Sequence, residues 1–420
     1  MEAYNQLPPI WRHAPLRDVC KPTRTWNPAR EPRDEFWYVD VSAVSRESLA
    51  IRSPQRTQAS SAPSRARKII RSGDALFATV RPTLRRVAFV GEEFDNQIAS
   101  TAFCVVRADP SKACGRFLYY LLLTDFLNEE IAKYESGASY PAVNDKDVLD
   151  RTVSLPPVAE QEKIAAVLWK IQRAIEVEEK FVATTRELKQ ATMRQLFTRG
   201  LHDEPQKQSP LGPVPENWRI STLGGVATIE RGRFLHRPRN EPRFYGGDTP
   251  FVQTGDVVRS GGRITEHTQT LNEQGVAISR VFPKGTILIT IAANIGFTGI
   301  LQFDSACPDS LVGISPVDGV NTRYLEYFLQ TQRLEMDRLA PKGTQKNINI
   351  QFLSPWPVAV PSQAEQEAIA STLEVIDQKA SIHERKRSTL QELFRTMLQH
   401  LMTGKIRVDK LDIDVSEVRP

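Results

Sequence analysis

The sequence is poor in the residues that bind metal ions. Its 420 residues include only four cysteines and six histidines. No two cysteines follow the spacing C-x2-C and no two histidines follow H-x3-5-H, so we predict no zinc or other metal site in this chain. The scarcity of cysteine also argues against a disulfide framework and favours a reducing compartment.

Long apolar runs are also missing. No stretch approaches the roughly 18 consecutive apolar residues of a membrane-spanning helix, and residues 1–18 lack the apolar centre of a secretory signal. Hydrophobic residues make up 40% of the chain and charged residues 25%, which is the balance of a folded globular protein. We therefore predict a cytoplasmic protein of about two to four domains, with no membrane partner.

The common catalytic motifs are absent as well. The chain has no phosphate-binding P-loop, no G-x-G-x-x-G after a strand, no G-x-S-x-G and no H-E-x-x-H. Asn27-Pro28 is not followed by a second proline and an aromatic residue, as in the catalytic loop of amino-methyltransferases. Pro308-Asp309 has no acidic-x-Lys partner close by, which argues against a nuclease. We predict no catalytic residue and no cofactor in this chain.

The sequence contains an internal repeat. Residues 159–165 and 364–370 are identical at six of seven positions, at an offset of 205. The dipeptide Trp11-Arg12 returns as Trp218-Arg219, and the glycine of Gly73-Asp74-Ala75-Leu76 returns in residues 285–288. Two related units with loops of different length give such drifting offsets, so the chain is organised as two copies of one plan.

Each copy begins with strand signals and ends with a helical pattern. Short apolar, β-branched segments separated by turn residues predict strands, and residues 116–134 and 322–339 each predict a helix. This is the pattern of an α+β domain. Residues 202–215 contain four prolines and are predicted to form a stiff linker outside any core.

A longer helix is predicted after each domain. Apolar residues from Ile369 to Leu401 follow a heptad spacing, which begins after the capping pair Ser362 and Glu365 and stops before Gly404. In the first copy Pro157 replaces the capping serine. Each helix would have about 40 residues and a length of roughly 60 Å. It could pack on its own domain alone, but we favour an antiparallel coiled coil of the two.

The predicted boundaries follow from these patterns. We place the first domain at residues 1–156, the first long helix at 157–201, the linker at 202–215, the second domain at 216–360, the second long helix at 361–405 and a tail at 406–420. Three polar residues in the middle of the helical seam are interpreted as solvated or register-setting positions: Glu178, His383 and Arg387.

Basic residues cluster within the two domains. Nine lysines and arginines lie between Arg52 and Arg86 against the single acid Asp74, and five arginines lie between Arg231 and Arg243. Such segments can neutralise DNA phosphates or read base edges, or they can simply be solvated. The loops that follow Gly137 and Gly343 differ in sequence. This difference is expected if the two domains recognise different targets, or if the loops have no function and their sequences have drifted.

Together these features resemble the specificity subunit of type I restriction-modification systems. The resemblance covers the chain from Trp11 to about Arg407, and its signature is the Pro-x-x-x-Glu-Gln element that ends at Gln161 and again at Gln366. It implies two target recognition domains, each reading one half of an asymmetric bipartite site in double-stranded DNA, and two helices that act as a ruler. It also implies two methyltransferase subunits, which use S-adenosylmethionine, and restriction subunits, which use ATP and Mg²⁺.

Loop position and side-chain chemistry give a set of predicted DNA contacts. They are Arg24, Trp26, Arg81, Arg85 and Tyr140 in the first domain, and Arg231, Arg233, Arg237, Asn294, Gln345, Lys346 and Asn347 in the second. Alternatives remain open: the recognition subunit of a type II-like restriction enzyme, a decoy that binds the partner subunits without restriction, or a coiled-coil adaptor that binds no DNA.

Overall fold

The computed structural model describes residue 8 and residues 10–28, 30–137, 141–341 and 346–418. The chain divides into two compact units. The first contains Met1–Lys180 together with His383–Pro420, and the second contains Phe181–Ile382. Each unit therefore holds one predicted domain and a part of both long helices. No helix among the described residues is long and apolar enough to cross a membrane.

The first unit is built on three small sheets. Its strands are β1 Arg12–Pro15, β2 Glu35–Val39, β3 Gln55–Gln58, β4 Ala66–Ile69, β5 Ala75–Ala78, β6 Val87–Phe89, β7 Ile98–Ser100, β8 Phe103–Val106 and β9 Thr152–Leu155. They form sheets in the orders β3-β2-β7-β4, β6-β5-β8 and β1-β9. Strands β5 and β8 are buried along their whole length, as their continuous apolar sequences predict.

Three short helices accompany these sheets, α1 Gly115–Leu122, α2 Asp125–Ala132 and α3 Asp145–Leu149. The prediction of one helix over residues 116–134 is therefore wrong. Thr124 leaves the helical conformation, and the Asn128 side-chain amide donates 2.8 Å hydrogen bonds to the carbonyl oxygens of Leu122 and Thr124. These side-chain bonds satisfy the helix end and let the chain turn.

A single long helix, α4 Val158–Arg199, follows the first domain. Beyond it lie β10 Gln206–Ser209, β11 Gly212–Pro215, β12 Arg219–Thr222, β13 Ala227–Arg231, β14 Tyr245–Phe251, β15 Arg263–Ile264, β16 Gln269–Leu271, β17 Arg280–Phe282, β18 Ile287–Thr290, β19 Thr298–Leu301, β20 Ser305–Cys307, β21 Leu311–Pro316 and β22 Pro357–Val360. The helices of this unit are α5 Leu223–Val226, α6 Thr254–Arg259, α7 Glu273–Ala277, α8 Thr322–Leu339 and α9 Ile350–Leu353. The second long helix is α10 Gln363–Met402.

The second unit repeats the sheets of the first. The order β16-β14-β20-β17 matches β3-β2-β7-β4, with the same antiparallel, parallel and antiparallel pairings. Strands β19-β18-β21 match β6-β5-β8, with β13 and β15 added at the edges, and β12-β22 matches β1-β9. The repeat seen in the sequence is therefore a repeat of topology, and the α+β fold class is confirmed.

Residues 202–215 do not form the predicted linker. Strands β10 and β11 pair as an antiparallel hairpin, and Val214 is buried in the core of the second unit. The tail after α10 is also packed, because Val408 and Val418 are buried in the core of the first unit. The prolines predicted a stiff linker, but burial of the apolar residues between them determines that the segment packs against the core.

The two long helices pack antiparallel in each unit. In the first unit the early turns of α4, with Ile164 and Leu168, share a core with Phe394 and Leu401 from the end of α10. In the second unit the end of α4, with Leu196 and Phe197, shares a core with Ile369 and Leu373 from the start of α10. Both cores also contain domain residues, so each helix packs on its partner and on a domain at once. The predicted antiparallel coiled coil is confirmed.

One polar contact lies in the seam of the first unit. The Glu178 carboxylate is buried and lies 2.6 Å from His383 Nδ1 and 2.5 Å from Lys386 Nζ. Glu178 and His383 are 205 positions apart, the same offset that relates the two Glu-Gln elements. Equivalent residues of the two repeats therefore contact each other with unlike chemistry, which suits the register-setting interpretation.

Candidate nucleic-acid interface

The basic segment of the second unit forms an exposed ridge. From Arg231 to Arg237 the odd-numbered residues are exposed, while Gly232 and Phe234 are buried. The backbone of Arg233 donates to the Cys307 carbonyl oxygen at 2.9 Å and accepts from Arg280 at 3.1 Å, which holds the segment extended beside β17 and β20. The alternation places Arg231, Arg233 and Arg237 along one solvent-facing edge.

Gly232 lets this ridge lie close to the neighbouring turn. A Cβ atom at this position would lie 2.2 Å from the Pro308 carbonyl oxygen, well inside any tolerated contact. The Gly232 amide donates to the Leu311 carbonyl oxygen at 2.9 Å. The sequence Arg-Gly-Arg therefore places two arginines where only a glycine between them permits the approach.

Asp309 accepts hydrogen bonds from several arginines of this segment. Its carbonyl oxygen accepts from Arg231 Nε at 2.7 Å, and its carboxylate accepts from Arg237 at 2.7 Å and from Arg239. One carboxylate facing several guanidinium groups leaves a local excess of positive charge. The N–H groups of these guanidinium groups that face solvent can donate hydrogen bonds to phosphate oxygens or to the edge of a guanine base. We call residues 231–239 with Asp309 the arginine cluster.

Other predicted contacts of the second domain lie beside the arginine cluster. The Ile291 amide donates to the carbonyl oxygen of Ser310, the residue after Asp309, and Ala292 forms a β-bridge with Asn347. Asn294 and Asn347 are exposed on these adjoining loops. Lys346 pairs with Asp337 at 2.9 Å. The structure thus brings together the described residues predicted for this domain, while Gln345 lies outside the described residues.

In the first unit, Arg81 and Arg85 occupy a tight turn after β5. Both have left-handed backbone conformations, with φ of 50° and 51°, and both are exposed. The equivalent turn of the second unit has Ala293 and Gly296 in the same conformation. Left-handed backbone is unfavourable for a residue with a long side chain; it occurs in tight turns, and such strained positions are enriched at functional sites. Arg85 pairs with Asp125, and the Arg81 amide donates to the Pro141 carbonyl oxygen at 2.7 Å.

Two other predicted contacts of this unit have different surroundings. Trp26 is buried, packs edge-on against Phe36 at 4.9 Å between ring centroids and donates from Nε1 to the Glu31 carbonyl oxygen at 2.7 Å. Its ring belongs to the core and is not presented to a ligand, which corrects the prediction for this residue. Arg24 is exposed and pairs with Glu31. Tyr140 lies outside the described residues.

The dense basic segment of the first domain is largely neutralised by the fold. Five of its nine basic residues pair with acids from elsewhere in the chain: Arg52 with Glu179, Arg56 with Glu35, Lys68 with Asp145, Arg71 with Asp95 and Arg85 with Asp125. Local sequence showed the bases but not these acids. The segment is therefore less electropositive than its sequence implied.

The structure explains the Glu-Gln element of each repeat. Gln161 is buried, accepts from the Cys114 amide at 3.0 Å and donates to the Pro156 carbonyl oxygen at 2.9 Å. Gln366 repeats this arrangement with the Asn321 amide at 2.8 Å and the Pro361 carbonyl oxygen at 3.1 Å. Each glutamine thereby fastens the start of a long helix to the start of α1 or α8.

Apolar side chains remain exposed on the long helices. Val177 and Leu393 are exposed in the first unit, and Ile382 and Leu188 are exposed in the second. The offset of 205 makes Val177 equivalent to Ile382 and Leu188 equivalent to Leu393. Each unit thus presents the same pair of exposed positions.

Among the described residues, no group of three or more acidic, His or Cys side chains is arranged to hold a metal ion.

The comparisons with known proteins agree with this architecture. The model of the type I restriction modification DNA specificity domain matches residues 15–183 and again residues 215–392. The chain belongs to this family and contains two copies of its domain.

Individual relatives cover nearly the whole chain. It is 23% identical to the putative type I restriction enzyme MjaX specificity subunit of Methanocaldococcus jannaschii, covering 96% of this chain and 95% of that protein. It is 22% identical to the HindI specificity subunit of Haemophilus influenzae, covering 82% and 89%.

Solved structures show the same fold. A chain from a study of complex assembly and conformational transition of the type I R-M system is 30% identical with a TM-score of 0.60, covering 96% of this chain and all of that one. The S subunit of M. genitalium is 14% identical with a TM-score of 0.62, covering 94% and 96%.

Proposed function

We propose that this chain binds double-stranded DNA through its two domains and supplies sequence recognition to a type I restriction-modification complex. One observation carries the proposal: two domains of the same topology hold differently composed basic loops, with the arginine cluster in the second and the left-handed Arg81–Arg85 turn in the first. Two different readers on one chain suit an asymmetric bipartite target, because each domain selects its own half-site.

The arginines divide into two expected roles. Arg237 is tethered to Asp309 and to backbone carbonyl oxygens of Phe234 and His236, so it offers fixed positive charge to a phosphate. Arg233 gives one 3.1 Å hydrogen bond to the Ser279 carbonyl oxygen and keeps its other donors. We assign base contact to Arg233 and Arg81, and phosphate contact to Arg231 and Arg237.

The exposed apolar positions on the helices support recruitment of partners. Because Val177 and Leu393 in one unit are equivalent to Ile382 and Leu188 in the other, two copies of one partner would meet similar surfaces. Two methyltransferase subunits, carrying S-adenosylmethionine, fit this duplication. Restriction subunits, which use ATP and Mg²⁺, complete the complex. This chain acts in the cytoplasm, where it contributes DNA recognition and its partners contribute the catalysis.

Single-molecule sequencing of methylated adenines tests the proposal. DNA from cells with and without this chain is compared, with the partner subunits present in both. A bipartite motif whose methylation requires the chain is the expected result. An unchanged pattern, with the chain expressed, would refute recognition and favour a decoy or an adaptor.

Variants assign the half-sites. Arg81→Ala and Arg233→Ala are each expected to cost about 1–3 kcal/mol on the cognate DNA and to relax one half-site only. Arg237→Ala, the matched phosphate contact, should weaken binding to all sequences similarly. Uniform weakening by Arg81→Ala or Arg233→Ala would show that those arginines contact phosphates instead.

Deletion of residues 174–180 tests the ruler, because these seven residues form two helical turns of α4. We expect a changed gap between half-sites or a loss of binding. An unchanged gap would refute the ruler.

A further inference from the structure

The outermost strands β3 and β16 occupy the same position in the matching four-stranded sheets. Each pairs antiparallel with the strand next to it, β2 or β14, and has no second neighbouring strand within the part of the chain that the structure describes. Both edges carry side chains that can form hydrogen bonds with bases: Gln55, Arg56, Thr57 and Gln58 on β3, and His267, Thr268, Gln269 and Thr270 on and before β16.

In the second unit, β16 borders an open cleft of about 600 Å³. The pairing of β14 with β16 shifts register between Tyr245 and Thr249, where Gly246 has a φ of 82°, and Tyr245 and Gly246 line this cleft. Asn240, Tyr245 and Gln269 are among the residues that line it. The irregular pairing therefore lies beside a cleft whose lining includes side chains able to form hydrogen bonds.

The cleft adjoins the arginine cluster. Partial burial raises the pKa of Tyr245, so its phenol stays protonated and donates to the Arg239 carbonyl oxygen. The Arg239 guanidinium binds the Asp309 carboxylate. A DNA backbone held by the arginine cluster would therefore run beside a cleft able to accept base edges.

Gln269 is held in place by a neighbour. Its side-chain oxygen accepts a hydrogen bond from the Gln253 side-chain amide, and the backbone amide of Gln253 donates to the Asp256 carboxylate at 2.9 Å. A glutamine side chain in a fixed orientation retains donor and acceptor capacity for a second partner. The matching pattern on a base is the adenine edge, with its N6 donor and N7 acceptor.

The first unit has an arginine at the corresponding edge. Arg56 lies opposite Trp37 in the strand pairing, with its guanidinium 5.8 Å from the Trp37 ring centroid, and it also pairs with Glu35. Its side chain remains 63% exposed. Two neighbours thus orient a guanidinium whose remaining donors match the O6 and N7 acceptors of guanine.

We propose that β3 and β16 are base-reading strands, with Arg56 reading a guanine in the first half-site and Gln269 an adenine in the second. This inference rests on the proposed function. It identifies a sheet edge, in addition to the loops, as the second element of each reader, and it explains why the two edges differ in chemistry while the sheets match.

The test measures methylation motifs for the full chain with its partner subunits. Arg56→Ala should make one guanine position of the first half-site degenerate, with about 10- to 100-fold less preference, and leave the second half-site unchanged. Gln269→Ala should do the same at one adenine position of the second half-site. Arg56→Lys keeps the positive charge but loses the two parallel N–H donors of the guanidinium group, so it should relax the base preference as Arg56→Ala does.

Matched controls are Arg17→Ala, which removes another exposed, ion-paired arginine of the first unit, and Gln332→Ala on α8. Both should leave the motif unchanged. Equal weakening on all DNA by Arg56→Ala, with Arg56→Lys restoring it, would overturn base reading in favour of phosphate contact. An unchanged motif in every variant would overturn the base-reading role of the two strands.

The wild-type motif separates this inference from the proposed function. If methylation does not depend on the chain at all, recognition itself fails. If the wild-type chain specifies a bipartite motif that both alanine variants keep, recognition stands and the role of the two strands is refuted.

Discussion

Glu326 offers a quantitative test of the core of the second unit. It lies on α8, is 2% exposed and accepts hydrogen bonds from Thr298 Oγ1 at 2.8 Å and Gln330 Nε2 at 2.6 Å. Burial raises its pKa from 4.5 to about 7, and the two donors oppose that effect only in part. The carboxyl is therefore mostly neutral in the fold at mildly acidic pH.

The sign of the pH dependence follows from this pKa. A carboxyl with a raised pKa binds its proton more tightly in the folded chain, so its stabilising contribution is complete below pH 4.5 and is lost as the pH rises through about 7. The difference between the two pKa values corresponds to roughly 3 kcal/mol as an upper limit. Glu326→Gln removes the charge and keeps an oxygen that accepts from both Thr298 and Gln330.

We expect Glu326→Gln to match the parent in stability near pH 4 and to exceed it by up to about 3 kcal/mol near pH 8. Chemical unfolding of the full chain at both pH values, with hydrogen exchange at α8 amides, measures the difference. The control is Glu335→Gln on the exposed side of the same helix, where a hydrogen bond from Arg338 lowers the pKa of the carboxyl and its contribution is lost on acidification instead. A stability difference that does not change with pH would refute the reasoning.

Three further predictions address the helices and the arginine cluster. Gln161→Ala and Gln366→Ala should each cost about 1–3 kcal/mol, because the first leaves the buried Cys114 N–H and the second the partly buried Asn321 N–H without its acceptor; an unchanged thermal midpoint contradicts this. His383→Glu should lower the midpoint by setting a second carboxylate against buried Glu178, and adding Glu178→His should restore it; failure of that rescue refutes the pairing. Gly232→Ala should relax or abolish recognition of the second half-site only, measured by the methylation motif, whereas equal loss at both half-sites indicates misfolding.

The helical parts of the fold were predictable because their signals are local. The heptad pattern predicted α10, found at Gln363–Met402, and the helix predicted at residues 322–339 was confirmed as α8. The capping pair was confirmed in part. The Glu365 backbone amide donates to Ser362 Oγ at 3.3 Å, but the Glu365 carboxylate accepts from Trp218 Nε1 and not from the Ser362 amide. Local periodicity predicts that a helix forms, but contacts with distant residues determine the hydrogen-bond partners of the side chains at its ends.

Features that depend on distant residues were not predictable from local sequence. The ion pairs of Arg56 with Glu35 and of Lys68 with Asp145 join segments far apart in the chain, so a count of bases within one window overestimated the charge. The burial of Trp26 depends on its packing against Phe36. Gln269 carried no signal in the sequence, although the alternation of exposed arginines from Arg231 to Arg237 could have been found there.

The two repeats show which contacts can change chemistry. Arg116, at the start of α1, lies between the rings of Phe89 and Trp169, 4.0 and 3.9 Å from their centroids. Its equivalent, Arg323, at the start of α8, instead pairs with Glu374, which is 205 positions after Trp169. A guanidinium can be held by an aromatic face or by a carboxylate, so this position tolerates exchange.

The glutamine of each repeat permits no such exchange. Gln161 and Gln366 each accept a hydrogen bond from one backbone amide and donate to a backbone carbonyl oxygen, and Gln366 donates to a second one, that of Gly319. Glutamate could accept but not donate, and lysine could donate but not accept, so only a side-chain amide of this length serves both partners. Identity between the repeats is therefore expected where one side chain must satisfy two buried backbone groups, and divergence is expected where it needs to satisfy one.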